Sequence, residues 1–401
     1  MSVHNDQEYN EMANRGPLSG VRIIDCTTVI AGPLCTQMLA DQGAEVIKIE
    51  PLEGDLVRNL GPILAPGLSA TFLSLARNKQ SLALDLSQTE SQALIARLCQ
   101  DADVFICNSR PGVMARHNLD YNTLKQGNPK LVYAAITGFG DSGPMAEQRA
   151  YDPIIQALSG MASLQNPSQL LGQTICDKTT GITACQAVTA ALFQAERCGQ
   201  GQLVELSMLE AAIGFLACDA FWPIAAPGRE LNYPDFKRVY IPWQTQDGEI
   251  VLVILADKEF VGFVEEFQVQ HLLDDPRFSS MQDRFAHWDE LVDTLKPLFL
   301  SQNSTEVLKR LWRADVPAAP INTITQLPDD KQIQASNMID YAEHSIAGKY
   351  SRVAMAANFS LQTEVPYQEA PSLGQHSHDI LKAAGLSEDE IQSLIKNGVC
   401  R

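Results

Sequence analysis

In the first third of the chain, short apolar runs alternate with longer stretches in which apolar residues return every three or four positions. "VRIIDCT" (21–27) is one such run, and "PLCTQMLADQG" (33–43) follows it with proline at its start and glycine at its end. "EVIKIE" (45–50) is again strand-like. A compact apolar run predicts a strand, and a 3.6-residue period bounded by proline and glycine predicts a helix. Their order is that of a βαβ unit. The rhythm repeats in "SLALDL" (81–86), "TESQALIARLCQDA" (89–102), "DVFICN" (103–108) and "LVYAAITG" (131–138). Such alternation predicts an α/β fold: a Rossmann-like parallel sheet with helices on both faces.

Further along, "GITACQAVTAALFQAERC" (181–198) reads as a helix, "QLVELSM" (202–208) as a strand and "LEAAIGFLACDAFW" (209–222) as an apolar helix. "PIAAPGRELNYPDFKR" (223–238) then breaks the pattern with proline, glycine and charge. "VYIPWQTQDGEIVLVIL" (239–255) predicts two strands around the hairpin dipeptide Asp247-Gly248. Three helical stretches follow to about 313, among them "DKEFVGFVEEF" and "WDELVDTLKPLF". "DVPAAPINTI" (315–324) is a second proline-rich crossing, after which "SRVAMAANFSL" and the helical "SEDEIQSLIKNG" close the chain. The expected organisation is a polar tail at 1–17, a large domain at 18–223, a smaller α/β domain inserted at 224–325, and a return to the large domain at 326–401.

Composition narrows the classes. With 401 residues, 45% apolar and 19% charged, the chain has material for two cores. No apolar run reaches membrane-spanning length and residues 1–17 are polar, so the expectation is a cytoplasmic protein with no membrane partner. The net charge of -18 argues against nucleic acid, and a small anionic ligand would need a local cluster of cations. Nine cysteines form no CxxC pair; with Cys99 in "ALIARLCQ" and Cys218 in "GFLACDAFW", they read as buried thiols of a reducing compartment. His376 and His378 in "HSH" lack a third ligand nearby, so no metal site is expected.

Two short segments invite chemistry. "TGFGDSGP" carries Gly138, Gly140 and Gly143 in the spacing of a dinucleotide fingerprint, but no helix opens there and no acid ends a following strand. Those glycines are read as shaping a loop. In "LLGQTICDKTTGITACQAV" (170–188), Asp177 stands before an apolar helix. It reads as a helix cap, worth about 1 kcal/mol. The cap is the plainer reading of these residues taken alone; the alternative is a reagent, kept ionised by the helix dipole and flanked by the small Thr179, Thr180 and Gly181, whose N–H groups would face an oxyanion.

Taken together, the motifs resemble the class III CoA-transferases, also called the CaiB/BaiF or formyl-CoA transferase family. The likeness runs through "LSGVRIIDCTTVIAGPLCTQMLADQGAEVIKIEPLEGD" (18–55), "LARNKQSLALDL" (75–86), "NSRPGVMARHNLDY" (108–121) and "LVYAAITGFGDSGP" (131–144). It continues in "RAYDPIIQALSGM" (149–161), "CGQGQLVELSMLEA" (198–211), "VPAAPINTI" and "PSLGQHS". It is weakest over 224–314.

This resemblance implies transfer of CoA between carboxylic acids through covalent aspartyl intermediates. Asp177, in "ICDKTTG", aligns with the family nucleophile, and no metal or prosthetic group is implied, with CoA and acyl-CoA as substrates. The residues implied to bind CoA are Val29 and Ile30 after the first strand, Leu75, Arg77, Asn78 and the adjacent Lys79, Asn108, Ser109 and Arg110, and then Arg116, Arg149 and Tyr151. Asp152 aligns with an acid near the active site, where it positions Asp177 or the acyl group, or is an ordinary cap. The family also implies an interlocked homodimer.

Ile30 and Pro51 depart from the glutamine and arginine of formyl-CoA transferases, and their glycine-rich loop has no counterpart in "APGRELNYPDFKRVY", which sets formyl or oxalyl specificity aside. Two rival readings are α-methylacyl-CoA racemase and a non-catalytic acyl-CoA-binding protein. The racemase relatives carry an acid–base histidine where this chain has Tyr151, and a phenol of ordinary pKa near 10 is poorly matched to moving an α-proton at neutral pH.

Overall fold

The computed structural model describes residues 15–231, 239–362 and 367–401. Most of the expected polar tail (1–14) and part of the proline-rich segment searched for a glycine-rich loop (232–238) lie outside them. The chain divides into two compact units, one made of the chain up to Ser163 with Gln169–Cys218 and Ser336–Arg401, the other of Leu164–Ser168 and Asp219–Ala335.

In the first unit, β1 (Arg22–Cys26), β2 (Glu45–Glu50), β5 (Lys79–Ala83), β6 (Val104–Cys107), β7 (Val132–Thr137) and β8 (Leu203–Ser207) form one sheet, while β3 (Ile63–Ala65) and β4 (Leu68–Ser69) make a small antiparallel ribbon. The six strands run parallel in the order β5-β2-β1-β6-β7-β8. Neighbouring side chains point to opposite faces, and both faces are covered, so the strands are apolar on both sides. Ile23 and Val104 meet α1 (Ala31–Asp41) and the long α7 (Ile175–Cys198), through Leu39 and Val188. Their neighbours Ile24 and Phe105 meet α3 (Thr89–Leu98), α14 (Ser377–Ala383) and α15 (Glu388–Lys396), through Ile95, Leu381 and Ile391. Each such apolar side chain stabilises by roughly 1.5–3 kcal/mol. The remaining helices of this unit are α2 (Ala70–Ala76), α4 (Val113–Arg116), α5 (Tyr121–Gly127), α6 (Asp152–Leu158) and α8 (Met208–Leu216), and β12 (Ile339–His344) pairs with β13 (Gly348–Val353).

The second unit holds an antiparallel sheet of β9 (Trp243–Gln244), β10 (Glu249–Leu252) and β11 (Ala318–Pro320), in the order β11-β10-β9. Four helices accompany it, α9 (Asp257–Phe267), α10 (Met281–Ala286), α11 (Trp288–Leu300) and α12 (Ser304–Arg313), and α13 (Lys331–Ser336) follows. Its core gathers Trp243, Phe260, Phe263 and Phe299. The unit starts before 224 and ends after 325, and the second proline-rich crossing is itself a strand inside it. β11 lies at the sheet edge, where Pro320 costs no ladder bond.

None of the nine cysteines is in a disulfide, and Cys198 and Cys218 are exposed. For Cys218 this corrects the expected burial: α8 ends at Leu216, so the thiol sits beyond the packed helix.

Candidate active site

Strand β1 has β2 on one side and β6 on the other, so the chain reverses its direction of travel across the sheet between β1 and β6. The loops after these two strands splay apart at such a point and leave a crevice at the carboxyl edge. Asn108, just beyond β6, spans it: its carboxamide accepts the Thr28 N–H at 2.9 Å and donates to the Thr28 carbonyl at 2.7 Å. Val29 has φ of 68°, unfavourable for a β-branched residue and sustained only when the surroundings over-determine it. They do. The Val29 N–H donates to Asp55 Oδ1 at 3.2 Å, while Lys48 Nζ donates to Asp55 Oδ2 and to the Thr27 carbonyl, both at 2.8 Å. Lys48 is 1% exposed, so a buried ion pair fastens the first loop.

Lys79 is also 1% exposed, and its ammonium donates to Asp25 (3.2 Å), the Pro33 carbonyl (2.9 Å) and Thr36 Oγ1 (2.7 Å). This departs from the expectation that it binds CoA, because the cation is consumed inside the core. Burial alone would raise the Asp25 carboxyl, but the Lys79 and Lys48 ammoniums outweigh it and hold Asp25 at about 2. Arg77 is paired with Asp41 at 2.7 Å, and Asn78 Nδ2 donates to the same carboxylate at 2.7 Å. Ile30 and Leu75 belong to an apolar cluster with Phe72. Leu75 and Arg77 line a separate cavity of about 720 Å³ together with Lys178 and Arg352.

A cavity of about 160 Å³ sits at the crevice, lined by Val29, Ser109, Arg110, Tyr151, Met208 and Asp177 among others. Thr137 and Gly138, at the start of the glycine loop, also face it, and no helix begins there. Arg110, Arg116 and Arg149 are exposed and make no side-chain hydrogen bond or ion pair among the described residues.

Helix α7 begins at Ile175, so Asp177 lies within its first turn and not ahead of it. The N–H groups of Thr179, Thr180 and Gly181 are therefore spent inside the helix and face no oxyanion, contrary to expectation. Gly181 has a packing reason instead: a Cβ there would come 2.7 Å from the Ala31 carbonyl oxygen of α1. The N-cap, Thr174, makes no side-chain cap. Asp152, 2% exposed at the start of α6, supplies one from outside, its Oδ2 accepting the Asp177 N–H at 2.9 Å.

Gln156, one turn along α6, donates to Asp152 Oδ1 at 2.6 Å and to the Gln173 carbonyl at 3.0 Å, and accepts the Leu171 N–H at 2.9 Å. Gln156 is absent from the sequence-based set, although its i,i+4 spacing from Asp152 carried the signal. Burial first, and the Asp152 charge second, push the partly buried Asp177 carboxyl up to about 7, against the helix dipole that would keep it ionised. Tyr151 is exposed and forms the N-cap position of α6. His376 and His378 take different partners, the Ser81 N–H and Glu388. Among the described residues no group of three or more His, Cys, Asp or Glu could hold a metal ion, and no helix is long and apolar enough to cross a membrane.

The sequence model of CoA-transferase family III matches residues 18–377. The chain belongs to that family. As a family III CoA-transferase it is 33% identical over 391 residues to a succinate–glutarate CoA-transferase of Agrobacterium fabrum, covering 92% of this chain and 96% of that one. It is 30% identical to a mouse (Mus musculus) succinyl-CoA:glutarate CoA-transferase over 96% of this chain and 90% of the relative. Among solved structures, a CaiB/BaiF family protein from Brucella suis superposes with a TM-score of 0.78 at 29% identity, over 92% of this chain and 100% of that one. The CoA-transferase is therefore an enzyme acting on CoA thioesters, with the α/β fold of its relatives.

Proposed function

We propose that this CoA-transferase moves CoA from an acyl-CoA to a free carboxylic acid with Asp177 as the nucleophile. The Asp177 carboxylate attacks the thioester carbonyl and expels the CoA thiolate, leaving a mixed anhydride. The thiolate attacks the aspartyl carbonyl, releases the donor acid and leaves an aspartyl-CoA thioester. The acceptor carboxylate attacks that thioester, expels the thiolate and forms a second anhydride, and attack of the thiolate on the acceptor carbonyl yields the new acyl-CoA and restores the carboxylate. Charges and atoms balance with no added metal or prosthetic group. The observation that carries this reading is the Asp177 carboxyl in one small cavity with the loops after β1, β6 and β7, its main chain held by Asp152. Asp152 and Gln156 are positioning residues.

CoA would lie along the crevice, on Val29, Ile30, Asn108 and Ser109 with Tyr151 at its edge, and reach on to the separate cavity lined by Leu75 and Arg77, with Asn78 beside them. The unpaired Arg116 and Arg149 are suited to its phosphates in an otherwise acidic protein. The relatives' succinate and glutarate carry two carboxylates, and we take dicarboxylic acids as the substrate class. A cytoplasmic, interlocked homodimer completes the reading.

Incubation with an acyl-CoA followed by hydroxylamine should leave a hydroxamate on the peptide carrying Asp177, detected by mass. Asp177→Ala should form none and lose transfer by on the order of a thousandfold or more. Full transfer by that variant would overturn the assignment.

A further inference from the structure

Lys79 opens β5 inside the core and lines neither the 160 Å³ cavity nor the 720 Å³ one, yet the segment it grips borders both. Two of its acceptors, the Pro33 carbonyl at 2.9 Å and Thr36 Oγ1 at 2.7 Å, belong to the first two turns of α1. The third, Asp25 of β1, also accepts the Thr36 hydroxyl at 2.6 Å and the Thr27 N–H at 2.9 Å, at the foot of the loop that carries Val29. Ala31, in the first turn of α1, lines the cavity that holds Asp177, and Leu34 lines the larger one. The turn has no slack on its other sides: a Cβ on Gly32 would come 2.4 Å from Thr27 Cβ, and one on Gly181 of α7 would come 2.7 Å from the Ala31 carbonyl oxygen. A buried ion pair seldom adds stability over apolar side chains of the same volume, so what this pair supplies is direction. An ammonium with its three donors aimed at acceptors on β1 and α1 fixes where the first turn of α1 stands against the sheet.

We propose that Lys79 is a positioning residue for CoA: through Pro33, Thr36 and Asp25 it holds the start of α1, and with it the wall formed by Thr28, Val29 and Ala31, at the spacing the ligand needs. This rests on the CoA-transfer reading above and gives Lys79 a part in binding without contact with the ligand. Asp177 is held separately, its N–H bonded to Asp152 of α6. A displaced wall therefore weakens the binding of free CoA and acyl-CoA alike and leaves the nucleophile in place.

The test uses Thr36→Val, which keeps the side-chain shape and the Lys79–Asp25 pair but removes the hydroxyl. A second variant combines Lys79→Met with Asp25→Asn, so that neither charge is left buried alone. For each, the dissociation constant of free CoA, the kcat and KM for succinyl-CoA with glutarate as acceptor, and the thermal unfolding midpoint are measured. Thr36→Val should raise the dissociation constant and the KM together by about three- to tenfold, the scale of one hydrogen bond, with kcat within about twofold of the unaltered protein. The double variant should raise both further, and Thr36→Ser, which keeps the hydroxyl, should stay near the unaltered values. A residue that served stability alone would leave less folded enzyme, which lowers the apparent kcat at unchanged KM. That pattern, or unchanged CoA binding in Thr36→Val, would overturn the inference and leave Asp177-dependent transfer standing; if the double variant does not fold, Thr36→Val decides alone. An unaltered protein that neither binds CoA nor transfers it would instead bring down the underlying reading, and the inference with it.

Discussion

At the scale of single residues, Asp177 carries a conflict between position and environment. The first turn of a 24-residue helix favours a carboxylate, while burial and the neighbouring Asp152 charge favour the neutral acid and raise its pKa to about 7. The neutral form is thus favoured by the fold: the associated stability is full below the ordinary value of 3.8 and is lost as pH rises through about 7. Nucleophilic attack needs the opposite form. The kcat/KM for the acyl-CoA should therefore climb about tenfold per pH unit up to about 7 and level off above it. Asp152→Asn keeps an oxygen for the Asp177 N–H but removes the negative neighbour, so the acid limb should move to lower pH without reaching 3.8, because burial remains. A pH–rate profile of both proteins decides this, and a limb already near 4 in the unaltered enzyme, or one that Asp152→Asn leaves in place, would refute the account.

At the scale of elements, the crevice depends on a loop held in a conformation it would not choose. Val29 stays at positive φ because Asp55 accepts its N–H and Lys48 ties Asp55 to the Thr27 carbonyl, with Thr27, Lys48 and Asp55 themselves buried. Asp55→Ala removes the carboxylate that the buried Lys48 ammonium is hydrogen-bonded to, leaving only the more distant Asp25 and Glu50 charges, and should cost roughly 3 kcal/mol of stability, read as a lower denaturant midpoint. A loss below about 1 kcal/mol would mean that the pair does not hold the loop. The elements around this loop were legible: β2 was read at its observed bounds and β1, α1 and β6 to within a residue or two, since burial on both faces makes them short apolar runs. β11 was not, because an edge strand can hold prolines that read as a break. Asp177 and Asp152 were found through the surrounding motifs, whereas their mutual contact depends on where α6 and α7 begin, which propensity locates only to within a few residues. Lys79 was misread because a lysine in a strand sequence looks the same whether its end meets solvent or a buried Asp25.

At the scale of the whole molecule, the first unit exposes large apolar side chains on α7 and α8, among them Ile182, Phe193 and Phe215. Exposed apolar side chains of this size would suit an association surface, and a second copy of the chain is the occupant that the proposed homodimer would supply. The polypeptide leaves the first unit at Cys218 and re-enters it at Ser336, so each subunit contains a long excursion that a partner could thread. Threading has a consequence that ordinary association lacks. Two separate subunits exchange at the rate of dissociation, but two linked rings part only when one of them unfolds. Tagged and untagged proteins, each purified as a dimer of the 43.9 kDa chain and mixed at nanomolar concentration for a day, should give no mixed dimer by native mass spectrometry. Mixed dimers should appear only after joint unfolding and refolding. Exchange within minutes would indicate a surface contact without interlocking, and a 43.9 kDa monomer carrying full activity would remove the dimer from the enzyme's mechanism.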